Sequence, residues 1–171
     1  MLRPQFFGRF ASLPMPKLTA LIHANNGALA LEQTLQSLRP CDEVLVISHD
    51  SQQEIAGIAK QHGAALKQAI VGVDNGAYAI DASNDWILCL QPGESLSNEL
   101  QTSLEEWKRI DPGTTVGYLV GIRDKDSPGK RPHELRLINR TCLNWKEATP
   151  GKVPNAPELK GDLLRLCDPE H

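Results

Sequence analysis

Apolar runs alternate along the chain with polar turns and with segments of helical periodicity, the pattern of an α/β protein. Leu18 to His23 and Val44 to Ile47 are short apolar runs, as expected for strands buried on both faces of a parallel sheet. Trp86 to Leu90 is a third run of this kind. The pattern predicts a single α/β domain with a mostly parallel central sheet flanked by helices.

Three helices are predicted between and after these strands. The first ends before Pro40, the second ends at Gly63, where glycine suits a C-terminal cap, and the third begins after an N-cap at Ser97. Their apolar stripes are Leu31, Leu35 and Leu38; Ile55, Ile58 and Ala59; and Leu100, Leu104 and Trp107.

The remaining segments give weaker signals. We expect one or two short strands within 64–73 and a short helix within 76–83. Further strands are predicted at 116–122 and 134–138, and 159–166 is predicted as a last strand or a helical turn.

Composition and charge exclude several classes of protein. A chain of 171 residues is long enough for one core, and a net charge of −3 without a basic stripe does not favour nucleic acid as a partner. Four cysteines without a CxxC pair indicate neither a zinc ribbon nor a thioredoxin-type motif, and they fit a reducing compartment. A transmembrane segment is not expected, because apolar runs of roughly 20 residues are missing. The expected location is the cytoplasm.

The ends of the chain are predicted to lie outside the domain. Residues 1–16 are interpreted as a disordered tail or a mis-assigned start, since Met15 precedes the first strand, and 167–171 as a tail. The alternative is a peripheral contact with the inner membrane face through Phe6, Phe7 and Phe10. The domain itself is placed at 17–166.

The order of several segments resembles family 2 glycosyltransferases, in particular bacterial lipopolysaccharide-core glucosyltransferases. The resemblance covers residues 17 to about 166 and implies a Rossmann-like, glycosyltransferase A-type fold that binds a nucleotide sugar. The matching segments are LTALIHANN, LEQTLQSLRPCDEVLVISHDS, IAKQHGAAL, NDWILCLQPGESLSNEL, HELRLINR and LKGDLLRL.

The same resemblance implies a nucleotide-sugar donor, a glycan or lipid acceptor, and magnesium or manganese to neutralise the leaving diphosphate. The two aspartates of the family's Asp-x-Asp metal motif fall on Gln91 and Gly93, and only the acidic residue after them is kept, as Glu94. We therefore expect Glu94 to be a weak metal candidate, or an exposed residue before the third helix. The family's catalytic base falls near Pro150 and Gly151.

The candidate binding residues lie at predicted strand ends. For the nucleotide sugar they are His23, Asn25, Ser48, Asp50, Gln91 and Gly93. His23 and His49 end the first two strands, and with Asp50 they suggest a metal site or an acid/base pair, the alternative being polar capping of the strands. Arg136 and Arg140 are candidates for the diphosphate, and the alternative for them is an ion pair with Glu134 or Asp162.

The missing carboxylates leave three functional hypotheses. The first is a divergent glycosyltransferase-like protein that is weakly active or inactive. The second is a non-catalytic module that binds a nucleotide, a glycan or a partner protein. The third is a metal-independent glycosyltransferase that uses basic residues at the diphosphate, with Lys160 as a further candidate.

Overall fold

The computed structural model describes residues 15–24, 28–49, 53–73, 75–91, 93–124, 129, 131–141 and 155–165. Within them, the helices are α1 Ala28–Gln36, α2 Gln53–Gln61 and α3 Asn98–Trp107, with a 3₁₀ helix at Asn75–Asp81. The strands are β1 Leu18–Ala24, β2 Glu43–Ser48, β3 Ala65–Gln68, β4 Trp86–Leu90, β5 Glu94–Leu96, β6 Gly117–Asp124, β7 His133–Asn139 and β8 Glu158–Arg165.

All strands belong to one sheet with the order β3-β2-β1-β4-β7-β6-β8-β5. The pairs β3-β2, β2-β1, β1-β4 and β6-β8 are parallel, whereas β7 and β5 run antiparallel to their neighbours. The predicted mostly parallel α/β sheet is confirmed. Because β1 has β2 on one side and β4 on the other, the strand order reverses between β1 and β4.

The two faces of the sheet are covered by different elements. The stripes of α1, α2 and α3 pack on a large cluster that includes Ala20, Val46 and Leu88. On the opposite face, Tyr78 and neighbouring residues of the 3₁₀ segment cover the smaller cluster. Alternate residues of the central strands point to opposite faces, so both faces need apolar side chains, which explains the unbroken apolar runs.

The helix boundaries follow the predicted caps. Ser97 Oγ accepts a hydrogen bond from Leu100 N–H at 3.2 Å, as an N-cap does. Gly63, which follows α2, has φ +68°, the left-handed conformation of a C-terminal glycine. None of the helices among the described residues combines the length and the apolar character needed to cross a bilayer.

Strand β5 was not predicted, and it determines the shape of the sheet. Its first residue, Glu94, follows β4 closely in the chain, yet β5 pairs with β8 at the far end of the strand order. The sheet must therefore curl to bring β5 back beside the end of β4. Helix α1 holds β5 in place, because Thr34 Oγ1 donates to the Glu94 carbonyl at 2.6 Å and Leu96 N–H donates to Ser37 Oγ at 3.0 Å.

Candidate functional site

A tight turn from Gln91 to Glu94 follows β4. The Glu94 N–H donates to the Gln91 carbonyl at 3.2 Å, and Gly93 has φ +80°. The position before the last residue of this turn needs a positive φ, which glycine adopts at no steric cost, and Gly93 occupies it. The glycine at the second metal position of the resembled family is thus explained by turn geometry.

The Glu94 side chain folds back over this turn. It is only 1% exposed, so the expectation that Glu94 would be exposed before the helix is wrong. Glu94 Oε2 accepts the Gln91 N–H at 2.9 Å and Arg136 Nη1 at 2.6 Å, while Oε1 accepts Arg136 Nη2 at 2.8 Å. This two-bond pairing of guanidinium and carboxylate is the strongest form of ion pair in proteins.

Arg136 lies on β7 and is itself buried, with 4% of its surface exposed. Its guanidinium also donates to the Cys89 carbonyl at 3.1 Å and to Glu134 Oε2 at 2.8 Å. Burial alone would lower the pKa of Arg136, but the hydrogen bonds and charges of Glu94 and Glu134 raise it above its ordinary value. The Glu134 pairing agrees with the ion-pair alternative, but the main partner, Glu94, was not predicted.

Arg165 is the residue at this site that the sequence analysis missed. It ends β8 and lies opposite Glu94 in the β5-β8 register. Its side chain is 42% exposed, and its nitrogens are 3.7 Å from Glu94 Oε1 and 3.8 Å from Glu134 Oε1. The signal was a single arginine in the apolar sequence LLRL, whose meaning depends on the unpredicted β5. Arg165 is thus a loosely held cation at the rim of a buried ion pair.

Cys89, whose carbonyl accepts a hydrogen bond from Arg136, lies near the end of β4. Burial raises the pKa of its thiol to about 12, an effect that the nearby charge of Arg136 opposes and that of Glu94 reinforces. A thiol with so high a pKa is a poor nucleophile at neutral pH. Cys89 is accordingly a small residue packed against the core and not a reactive thiol.

A second polar group lies at the carboxyl ends of β1 and β2. His23 Nδ1 is 3.0 Å from His49 Nε2, so one ring nitrogen donates a hydrogen bond and the other accepts it. The Tyr78 ring lies 6.0 Å from the His23 ring, and Ser48 is buried at the end of β2. The predicted neighbourhood of His23, Ser48 and His49 is therefore present in the structure.

Arg140 does not join either group. Arg136 lies near the carboxyl end of β4, but Arg140, the residue directly after antiparallel β7, lies near the amino end of β4. There its guanidinium donates to the Ala79 carbonyl at 2.8 Å and to Asp85 Oδ1 at 3.3 Å. The two arginines proposed for the diphosphate thus lie at opposite ends of β4. Arg140 holds the 3₁₀ segment through its bond to the Ala79 carbonyl.

Some candidate positions are not described by the structure. Asn25 and Asp50, from the nucleotide-sugar set, lie outside the described residues, as do Pro150 and Gly151, where the resemblance places the catalytic base.

The residues at the end of β4 do not fit the divalent metal that the resemblance implies. Both oxygens of Glu94 are already bonded to Arg136, whose positive charge would repel a metal ion. Gln91 is neutral, and Gly93 offers only backbone atoms. Among the residues that the structure describes, three or more His, Cys, Asp or Glu side chains do not come together in a metal-binding group.

Two curated proteins of related sequence are both called uncharacterized glycosyltransferases. The protein from Rickettsia felis is 34% identical over 95 residues, which are 53% of this chain and 34% of the relative. The protein from Rickettsia bellii is 34% identical over 94 residues, 52% of this chain and 32% of the relative. The match therefore spans about a third of the length of these relatives. No protein-family profile matches the chain.

A solved structure supports the fold along most of the chain. The crystal structure of 4-diphosphocytidyl-2C-methyl-D-erythritol synthase superimposes with a TM-score of 0.60 and 13% identity, covering 91% of this chain and 94% of that one. At this identity the likeness shows a shared α/β fold alone. The two relatives confirm the resemblance to glycosyltransferases over about half of this chain, whereas the assignment to family 2 stays a prediction.

Proposed function

We propose that this chain is a divergent family 2 glycosyltransferase-like protein that binds a nucleotide or nucleotide sugar without a divalent metal and transfers sugar weakly or not at all. One observation carries the proposal: the end of β4 is a turn locked by the buried pair of Glu94 and Arg136. The resembled family has a metal-binding pair of aspartates there, so the position has changed from a binding role to a structural one.

The topology indicates where the ligand binds. In open α/β sheets, ligands enter the crevice at the carboxyl ends of strands where the strand order reverses. In this sheet the reversal lies between β1 and β4. His23 lies on one side of that crevice and Gln91 on the other, with Ser48 at the end of the next strand. These residues are proposed to contact the nucleoside and its phosphates.

The diphosphate needs a positive charge in place of a metal, and Arg165 is the best placed of the described arginines. Arg136 is buried and fully bonded, and Arg140 lies at the amino end of β4, away from the crevice. Arg165 is partly exposed, and its contacts with Glu94 and Glu134 are long, so turning it toward a phosphate costs little. Arg165 is therefore the proposed diphosphate contact, in place of Arg136 and Arg140.

The position of Arg165 also supports a second candidate function, a metal-independent glycosyltransferase. In that reaction the bond between the anomeric carbon and the diphosphate oxygen breaks while an acceptor hydroxyl oxygen forms a new bond to that carbon, and the hydroxyl proton passes to the departing diphosphate. Arg165 would neutralise the charge that develops on the departing diphosphate. This candidate differs from the first only in having efficient turnover.

Calorimetric titration in EDTA tests the proposal. We expect at least one of UDP, GDP, dTDP or CDP to bind, and the same nucleoside without phosphates to bind more weakly. Arg165→Gln should reduce nucleoside diphosphate affinity by about tenfold or more, the usual effect of losing a charge-assisted hydrogen bond, and leave nucleoside affinity unchanged.

Arg123→Gln is the matched control, because Arg123 is similarly exposed and also has a carboxylate 3.7 Å away, that of Asp162. Absence of nucleotide binding in EDTA would contradict the proposal as a whole. Equal nucleoside diphosphate affinities of Arg165→Gln and Arg123→Gln would contradict only the role of Arg165. Rapid sugar transfer in EDTA that Arg165→Gln abolishes would favour the second candidate over the first.

A further inference from the structure

The histidine pair at the ends of β1 and β2 has a geometry that fixes how its two rings are bonded. His23 Nδ1 is 3.0 Å from His49 Nε2, and the ring centres are 5.3 Å apart. For nitrogens at this separation, the ring centres are nearly as far apart as the two rings allow, so the nitrogens point almost straight at each other. A straight contact of this length is a hydrogen bond, in which one ring donates its N–H and the other offers its lone pair.

The backbone and a tyrosine hold the pair in place. Strands β1 and β2 are adjacent and parallel, and the His49 N–H donates to the Ala24 carbonyl at 3.1 Å. The buried Tyr78 ring packs edge-on against His23, with the ring centres 6.0 Å apart. His49 is exposed and turns its Nε2 toward His23, so its Nδ1 lies on the outer side of the pair. The pair is therefore a preformed group with one end open to a ligand.

The other groups around the pair bring little net charge. Lys67 of β3 lies two strands from His23 on the same face of the sheet, and it forms an ion pair with Asp81 of the 3₁₀ helix. Tyr78 of the same 3₁₀ helix and Gln91, directly after β4, are uncharged groups. Among the described residues, the charge of the pair itself therefore determines how this side of the crevice meets an anion.

Uptake of a proton changes what the pair offers to a ligand. In the neutral pair, His49 Nδ1 is a donor in one tautomer and an acceptor in the other. Adding one proton keeps the bond between the rings, makes His49 Nδ1 a donor in either tautomer and gives the pair a single positive charge. A second proton would place two N–H groups against each other and break that bond. The pair thus accommodates one extra proton and disfavours two.

We propose that His23 and His49 bind a phosphate group of the nucleotide as one cation that shares a single extra proton, with His49 Nδ1 as the donor. The ligand is the nucleotide of the proposed function, on which this inference rests. Only β1 separates β2 from β4, so the pair and the turn after β4 flank the crevice roughly 10 Å apart, a distance that a nucleoside diphosphate spans. Arg165 and the pair then hold the ligand from two sides, and binding takes up a proton wherever the free pair is neutral.

NMR titration of the unliganded protein tests the shared proton. Between about pH 8.5 and pH 5.5, the ring signals of His23 and His49 should move together with one common midpoint. Each should shift by about half as much as the signal of His62, an exposed histidine after α2, because one proton is distributed over two rings. Full-size shifts of the two rings with separate midpoints would overturn the shared proton, and so would the absence of any shift.

Calorimetric titration with a nucleoside diphosphate in EDTA tests the role of the pair in binding. The phosphate of the ligand also ionises in this pH range, so the informative quantity is the affinity of the unchanged protein divided by that of His49→Gln. This ratio should fall from about tenfold at pH 6, the usual effect of a charge-assisted hydrogen bond, to about twofold or less at pH 8.

His62→Gln is the matched control, because His62 is also exposed but lies before β3, at the opposite end of the strands. Its affinity should equal that of the unchanged protein at both pH values. Urea unfolding of the two variants establishes that each is folded. A ratio for His49→Gln that is the same at pH 6 and pH 8 would overturn the pair as a phosphate contact, even where the nucleotide binds.

Inorganic pyrophosphate separates this inference from the proposed function. Binding of pyrophosphate that depends on pH and is abolished in His49→Gln, without binding of any nucleoside diphosphate, would support the pair and contradict the proposed function. Nucleoside diphosphate binding with a constant ratio would do the opposite. Absence of binding by both ligands would contradict both.

Discussion

At the scale of single residues, Arg136 is a buried cation whose guanidinium is bonded to two carboxylates and a carbonyl. It neutralises Glu94 and bonds to Glu134 and to the Cys89 carbonyl, all in a buried setting. A buried ion pair contributes little net stability compared with apolar residues, but removing one partner leaves an uncompensated charge. The ion pair thus acts mainly as a constraint that holds the turn after β4 in one conformation.

Arg136→Met should therefore lower the free energy of unfolding by about 3–5 kcal/mol, because Glu94 would remain buried without its partner. The double variant Glu94→Gln/Arg136→Met should recover a large part of this loss. Urea denaturation of the two variants and the unchanged protein measures both effects. Equal stability of the single and double variants would show that the buried charge of Glu94 is not the cause.

Glu43, at the amino end of β2, should make stability depend on pH. Burial would raise the pKa of its carboxyl, but hydrogen bonds from Ser83 and Thr19 outweigh burial and leave the pKa below the ordinary 4.5. The charged form therefore stabilises the fold fully above pH 4.5, and this contribution disappears as the pH falls through the lowered folded-state pKa.

Glu43→Gln should accordingly be less stable than the unchanged protein at pH 7, and the difference should shrink as the pH falls from about 6 to about 3. Thermal unfolding across this range gives the measurement. A difference that stays constant at every pH would mean that packing, and not the ionised carboxylate, accounts for the effect of the substitution.

Residue roles at the candidate site were only partly predictable. The sequence placed His23, Ser48 and His49 at strand ends, because strand ends follow from apolar periodicity alone. It could not place Glu94 against Arg136, since that contact joins β5 to β7 across 42 positions of the chain. Long-range pairing depends on the curl of the sheet, which local sequence does not encode.

At the scale of elements, the turn after β4 explains why Gln91 and Gly93 stand at the positions where the resemblance implies a metal-binding Asp-x-Asp. The turn joins β4 to β5 and allows the sheet to curl. Long strands and helices were predicted because their periodic patterns extend over many residues. Strand β5 was missed because its three residues, Glu94, Ser95 and Leu96, are too few to show alternation, and its pairing with β8 is non-local.

Gly93→Ala tests whether the turn depends on backbone conformation. A side chain at φ +80° should reduce the free energy of unfolding by about 1–2 kcal/mol. Gly57→Ala is a matched control, because Gly57 lies inside α2 and a Cβ added there meets open space. This substitution should raise the free energy of unfolding by about 0.5–1 kcal/mol. Urea denaturation compares them, and destabilisation by Gly57→Ala or none by Gly93→Ala would contradict this explanation.

At the scale of the whole molecule, the α/β sheet combines a strand-order reversal, the place where ligands bind in open sheets of this type, with a turn held by a buried ion pair. The crevice lies at the strand-order reversal between β1 and β4, and the turn lies beside it at Gln91 and Glu94. Nucleotide binding and metal dependence, which occur together in the resembled family, are therefore separate properties in this protein as we propose it. The first is proposed to remain and the second to be lost.

The most direct test is the affinity of the protein for its preferred nucleoside diphosphate, measured once in EDTA and once in excess Mn²⁺. We expect the two dissociation constants to agree within about twofold, because Arg136 already occupies the Glu94 carboxylate that a metal would need. Tightening by about tenfold or more in Mn²⁺ would show that the protein does form a metal site. That result would contradict the interpretation of the turn from Gln91 to Glu94 as a purely structural element.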